Sequence, residues 1–281
     1  MKLDFDTPTP LDFFASLVQS DAEIGLLEAA ISLAQDEYPE LDVQSVLGEV
    51  DQLIARLQRR LSADAGPLQK LRVLNQFFFQ DLKFGGNVND YYDPENSFIH
   101  TLLRTRRGIP ISLGVLWMEL AQGIKLAVRG VGFPGHFMVK VHLPMGQAVI
   151  EPMSGRSLSR EELAEMLEPY RTRVDWSGDS EVPLGLYLQS MPYRDILARM
   201  LRNLKEIYRS QSDRVRQLAV QERLVILYPE SWPEYRDRGL LHLELGHMEA
   251  AANDLQCYLV HASNVADAGD IADRLESITR Q

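Results

Sequence analysis

Apolar positions three and four residues apart dominate the first third of the chain and predict helices. Thr9 before Pro10 is a capping pair ahead of LDFFASLV, and Ser20 with Glu23 has capping-box spacing ahead of IGLLEAAISLA, which Pro39 closes. Asp42 opens the amphipathic stretch VQSVLGEVDQLIARLQRRL. Gly66-Pro67 breaks that pattern, and LQKLRVLNQFFFQDL follows as one more helix. The polar stretch GGNVNDYYDPENS (85–97) reads as a loop that either connects elements or lines a site, and Ser97 is placed to cap FIHTLLRT. Arg106-Arg107-Gly108-Ile109-Pro110 then leads into ISLGVLWMELAQ, a strongly apolar helix stopped at Gly123.

After this helix the period changes to two. AVRGVGF, HFMVKVHL and QAVIEPM predict strands, with Phe137, Val139, Val141 and Leu143 on one face. Short turns containing Pro-Gly and Pro-Met-Gly make antiparallel pairing the natural arrangement. Ser159 and Glu162 begin a small helix with another capping box. DWSGDSEVPLG (175–185) reads as a linker, and the pattern beyond it is helical with a weak repeat of about thirty-four residues. Leu201, Leu204, Tyr208, Leu224 and Pro229 mark one helical hairpin. Tyr235, Gly239, His242, Ala251, Leu255 and Tyr258 mark a second, a plain helical bundle being the other reading. The chain is thus read as α+β: an N-terminal helical region over 1–65, a helix-plus-antiparallel-sheet domain over 66–180, and all-helical repeats over 186–281.

Composition narrows the function classes. The 281 residues are 45% apolar and 25% charged, as in folded globular proteins. A net charge of -11 argues against nucleic acid and anionic membrane surfaces as partners, because phosphate recognition needs a basic face. The single cysteine, Cys257, excludes an internal disulfide and suits a reducing compartment; its apolar helical neighbours predict burial. The start of the chain does not read as a signal peptide, and no apolar run is long enough to span a bilayer. A soluble cytoplasmic protein is the expectation, with oligomeric state left open.

Three polar residues stand at chemically informative places. Ser112 lies at the start of the apolar helix, where unpaired N–H groups favour developing negative charge. His136 opens the second strand after Phe133-Pro134-Gly135, and Glu151 follows the third strand's apolar run. Nucleophile, base and orienting carboxylate is one reading of this set. The other is structural: a serine capping its helix, a histidine bonded to its turn, and a glutamate at a solvated strand end. Glu119, seven residues after Ser112, is an acid within the apolar stretch, either a polar partner near the site or an edge facing water. Arg106 and Arg107 either bind an acidic ligand group or pair with Asp90, Asp93 or Glu95 upstream. No phosphate-binding glycine loop and no HExxH occur. His242 and His247 are five apart, but His242 stands at a repeat packing position, so no metal site and no cofactor are expected.

The stretch RRGIPISLGVLWMELAQGIKLAVRGVGFPGHFMVKV, with NQFFFQDLKFGGNVNDYYDPENS before it, resembles the transglutaminase-like domain of bacterial SirB-type proteins. In that family the domain is followed by tetratricopeptide repeats, as the helical repeats here also suggest. The resemblance implies a papain-like core of one helix against an antiparallel sheet. It implies Ser112 in the place of the catalytic cysteine, His136 in that of the histidine, and Glu151 in that of the acid. Asn96, Arg107 and Glu119 are the candidate binding residues. With serine for cysteine and glutamate for aspartate, the site is degenerate. The function implied is protein binding, scaffolding or regulation through the cleft and the repeats. The alternative is a serine-dependent amidase, peptidase or acyltransferase.

Overall fold

The computed structural model describes residues 8–171, 184–261 and 266–279; most of the segment read as a linker lies outside them. The chain forms two compact units. One runs Gly25–Leu197, and the other joins the described residues up to Ile24 to those from Ala198 onward. Helix α1 (Pro10–Leu17) begins as its sequence predicts: Thr9 Oγ1 accepts from the Asp12 N–H, and the Asp12 carboxylate accepts from the Thr9 N–H, both at 3.1 Å.

In the unit Gly25–Leu197, helix α2 (Leu26–Ser32) starts later than its apparent capping box. Ser20 and Glu23 form only a turn, Glu23 N donating to Ser20 O at 3.0 Å. Burial of Leu26, Leu27 and Ala29 to Ser32 sets this short helix, without a side-chain cap. Helix α3 (Val43–Gln58) is capped by Asp42, whose carboxylate accepts from Gln44 N and Ser45 N, and it buries Val43, Val46, Val50, Leu53 and Leu57. Helix α4 (Pro67–Asn75) does not run on unchanged. Over Gln76–Asp81 it widens to a π-turn, with Leu82 N donating to Phe77 O, and all of Phe77, Phe78 and Phe79 are buried. A two-residue strand β1 (Gly85–Gly86) follows. Beyond it come a single 3-10 turn (Pro94–Ser97), helix α5 (Ile99–Thr105) and strand β2 (Arg107–Gly108), which pairs parallel with β1. Phe98, not Ser97, takes the capping position of α5; the Ser97 hydroxyl is buried and has no partner.

Helix α6 (Pro110–Gly123) is buried on nearly every side, as a helix with apolar residues all round must be. It packs against α2, α3, α4, α5 and one face of a four-stranded antiparallel sheet. The sheet order is β3 (Val128–Val131), β4 (Met138–Leu143), β5 (Gly146–Ile150) and β6 (Ser157–Leu158). In the paired register Val128, Val141 and Ala148 share one face with Gly130, Val139 and Ile150. Two glycines make room there for the Phe137 ring. A Cβ at Gly114 of α6 would lie 2.5 Å from Phe137 Cε1, and one at Gly130 of β3 would lie 2.9 Å from Phe137 Cζ. The opposite face is buried too: Val131, Met138, Val149 and Leu158 pack with Leu163 and Leu167 of helix α7 (Arg160–Arg171). The Ser159–Glu162 box opens α7 as predicted. Short helix α8 (Leu184–Tyr187) adds to that cluster, and buried Lys140 on this face donates to Leu188 O at 2.7 Å.

Helix α9 (Tyr193–Ser210) carries the chain from this unit into the other. There α10 (Arg214–Leu227), α11 (Trp232–Glu244), α12 (Met248–His261) and α13 (Ala268–Thr279) follow, and α1 packs on α10. The repeat positions Leu201, Leu204, Tyr208, Leu224, Ala251, Leu255 and Tyr258 are all buried. Gly239 is the close approach of α11 to α12: a Cβ there would meet Leu255 Cδ2 at 2.9 Å. Ion pairs Arg202–Glu234 and Lys205–Asp237 link α9 to α11, and Arg238–Asp254 links α11 to α12. Cys257, expected buried, is half-buried on α12. Among the described residues no helix is long and apolar enough to cross a membrane.

Candidate functional site

Ser112 sits in the first turn of α6 and is fully buried. Its hydroxyl donates to Asn96 O at 2.6 Å, with Ile109 O a second acceptor at 3.1 Å, and it accepts from Ile109 N at 3.2 Å. The oxygen therefore ties the start of its own helix to the loop before α5. Gly108 permits this, since a Cβ there would lie 2.7 Å from Ser112 Oγ. A hydroxyl becomes a nucleophile by passing its proton to a base, and a backbone carbonyl is not one.

His136 lies in the turn before β4, exposed, with its backbone N–H donating to Phe133 O at 2.9 Å. Glu151 follows β5 and closes its own turn. Its carboxylate accepts from Met153 N at 2.9 Å, Ser154 N at 3.1 Å and Ser154 Oγ at 2.5 Å. Neither the Ser112 hydroxyl nor the Glu151 carboxylate bonds His136. The Glu151 turn is instead anchored to α6 through a different route. Trp117 Nε1 donates to Asn75 Oδ1 at 3.0 Å, and Asn75 Nδ2 donates to Gly155 O at 3.1 Å.

Of the three candidate binding residues, Asn96 is the hub of the polar loop. Its side chain is buried, donates to Asp90 O at 2.6 Å and accepts from Asn87 Nδ2 at 3.0 Å, while its carbonyl receives Ser112. Arg107 is exposed, with Nη1 donating to Lys83 O at 2.7 Å and to Arg106 O at 3.0 Å. Glu119 is half-buried; burial, then the negative charge of Asp51 on α3, raises its pKa. The ion pairs expected between Arg106 or Arg107 and Asp90, Asp93 or Glu95 are not formed. Glu95 pairs instead with Arg104, at 3.6 Å.

Sequence reading missed a polar cluster that converges on Glu95. The carboxylate accepts from Tyr38 and, at 2.8 Å, from Thr101 Oγ1; His100 Nε2 lies 3.2 Å from that hydroxyl. Burial and then Glu95 push the Tyr38 phenol up to about 12, and burial lowers the His100 pKa. Its members come from the α2–α3 connection, the 3-10 turn and α5, so no spacing along the chain announces it. Among the described residues no group of three or more His, Cys, Asp or Glu is placed to hold a metal ion.

Residues 44–202 match the family profile of the transglutaminase-like superfamily, and residues 204–276 match that of the tetratricopeptide repeat. A UPF0162 protein of Xylella fastidiosa strain Temecula1 is 35% identical over 240 residues, covering 85% of this chain and 84% of the relative. One from strain 9a5c of the same species is 36% identical over 255 residues, covering 89% and 88%. The UPF0162 protein PA3419 of Pseudomonas aeruginosa is 25% identical over 255 residues, covering 89% of each. No solved structure matches the chain.

Proposed function

We propose, from the premise that this chain belongs to the transglutaminase-like superfamily and to the bacterial UPF0162 proteins, that it is a protein-binding scaffold or regulatory protein with a degenerate site. The observation that carries this reading is the bonding of Ser112. In the place where an active member would hold a thiol, the hydroxyl is fully buried and donates its hydrogen bond to a backbone carbonyl. The Glu151 carboxylate serves its own turn. The tetratricopeptide region supports the binding half of the proposal, since such repeats generally mediate contacts between proteins. We place its action in the cytoplasm, which the single cysteine suits.

The test is chemical. Native protein is treated with a serine-directed fluorophosphonate probe and mapped by mass spectrometry, alongside turnover assays on glutamine amide, peptide and ester substrates. The expected result is no labelling at Ser112 and no turnover. Labelling at Ser112, with a turnover that Ser112→Ala abolishes, would overturn the proposal in favour of a serine-dependent amidase or acyltransferase.

A further inference from the structure

Acidic side chains outnumber basic ones 40 to 29 in this chain, yet several of the basic ones converge on one patch of the unit Gly25–Leu197. Arg56 on α3 and Arg60, just past its end, both lie over the Phe77 ring, at 5.6 and 4.7 Å from its centroid. Neighbouring Phe78 stacks on Phe84 at 4.4 Å, and the Arg106 guanidinium lies 4.6 Å from the Phe84 centroid. Arg107 continues the patch through its bond to Lys83 O. Arg60, Arg56 and Arg106 thus lie over buried phenylalanines, with Arg107 and the exposed Lys83 joined beside Arg106 through the Lys83 carbonyl.

These cations are largely uncompensated. Arg60 pairs with Asp81. Among the described residues Arg56, Lys83, Arg106 and Arg107 form no ion pair. Arg106 is the least settled of them. Its Nη1 is buried with no acceptor, burial lowers its pKa, and from α3 Glu49 attracts it while Arg56 repels it. Lys83 and Arg106 both hold left-handed backbone conformations, at φ of 61° and 60°, so the chain pays a conformational cost where the patch is built. Guanidiniums fixed on aromatic faces and by backbone carbonyls lose little freedom on meeting a carboxylate.

We propose that this strip of Arg56, Lys83, Arg106 and Arg107 is the docking site for an acidic peptide segment of a partner protein. Carboxylates fit the fork geometry of the guanidiniums, and each incoming one finds an unpaired charge. A net charge of -11 sets a long polyanion such as nucleic acid, or an anionic membrane, against the rest of the surface, whereas a short acidic segment feels chiefly the local strip. The proposal does not use Ser112 or the repeats and holds whichever way that site reads.

The experiment is an anisotropy titration of the full chain with a short dye-labelled poly-glutamate peptide. Poly-glutamine of equal length, a single-stranded oligonucleotide of equal charge and anionic vesicles serve as comparisons. Arg56→Glu with Lys83→Glu changes two exposed side chains that make no hydrogen bond to the rest of the chain, and Arg107→Gln is a second variant should the first fold poorly. The expected result is poly-glutamate binding that weakens steeply with salt and about tenfold or more in either variant, with unchanged thermal melting. Absence of binding at low salt, or equal binding by folded variants, overturns the proposal. So does binding of oligonucleotide or vesicles as tight as that of the peptide, which would make the strip a phosphate reader. Salt-sensitive self-association lost in the variants would overturn it in favour of a second copy.

Discussion

Replacing Ser112 by alanine separates the structural role of this residue from a chemical one. The hydroxyl makes a 2.6 Å bond to Asn96 O and receives Ile109 N at 3.2 Å in a fully buried setting. Alanine removes both at once and brings no water to replace them. What remains is a long bond between the two stranded groups, Ile109 N to Asn96 O at 3.4 Å. Leaving a buried donor or acceptor poorly satisfied costs about 1–3 kcal/mol, so Ser112→Ala should destabilise the unit by about 2 kcal/mol. The assay is urea unfolding followed by fluorescence in a Trp176→Phe, Trp232→Phe background, so that Trp117, on the same helix, reports alone. A loss below about 0.5 kcal/mol, within the range of ordinary surface changes, would refute the reasoning. It would mean that the serine does not hold α6 to the loop, and the case for a displaced nucleophile would reopen.

Two further predictions concern the same helix. Gly114→Ala puts a methyl 2.5 Å from Phe137 Cε1, and overpacking of about 1–3 kcal/mol should outweigh the ~1 kcal/mol of helix propensity that alanine brings. Phe137→Leu should remove much of that penalty in a double-mutant cycle of thermal melts, and an additive cycle would show that the ring is not what excludes the methyl. For Glu119 the raised pKa means that the folded state disfavours its charged form. Its contribution is fully present below the unfolded value of 4.5 and is lost as pH rises through the higher folded value. Glu119→Gln should therefore melt higher than the parent at pH 7, with the gap closing near pH 4; a gap independent of pH would contradict the burial argument.

What the sequence made legible was local. The caps at Thr9, Asp42 and Ser159, the strongly apolar α6 and the antiparallel order of β3, β4 and β5 are each written in a few neighbouring residues. What it hid depends on contacts between distant segments. The parallel pair of β1 and β2 has only two residues in each strand, too few to set up a period. The π-turn over Gln76–Asp81 shows as three consecutive phenylalanines, which a regular helix would not bury on one side. That α1 packs on α10 has no local sign at all. At the candidate site the three residue types were visible, but not that the Asn96 carbonyl reaches Ser112 before any base does.

The stretch from Arg106 to Ser112 shows why family resemblance and chemistry separate here. Arg106 ends α5 in a left-handed conformation and lies over Phe84. Arg107 bonds the carbonyl of Lys83 across from it. Gly108 pairs with Gly86 in the parallel strand and leaves space for the Ser112 oxygen. Ile109 caps α6 with its backbone, and Pro110 occupies the first helical position, where a missing N–H costs nothing. Ser112 then closes the assembly onto Asn96. Each of these residues has a task in building the fold whether or not a reaction takes place, so RRGIPIS speaks for the architecture and is silent about turnover. Turnover by a serine requires that its proton reach a base rather than a carbonyl.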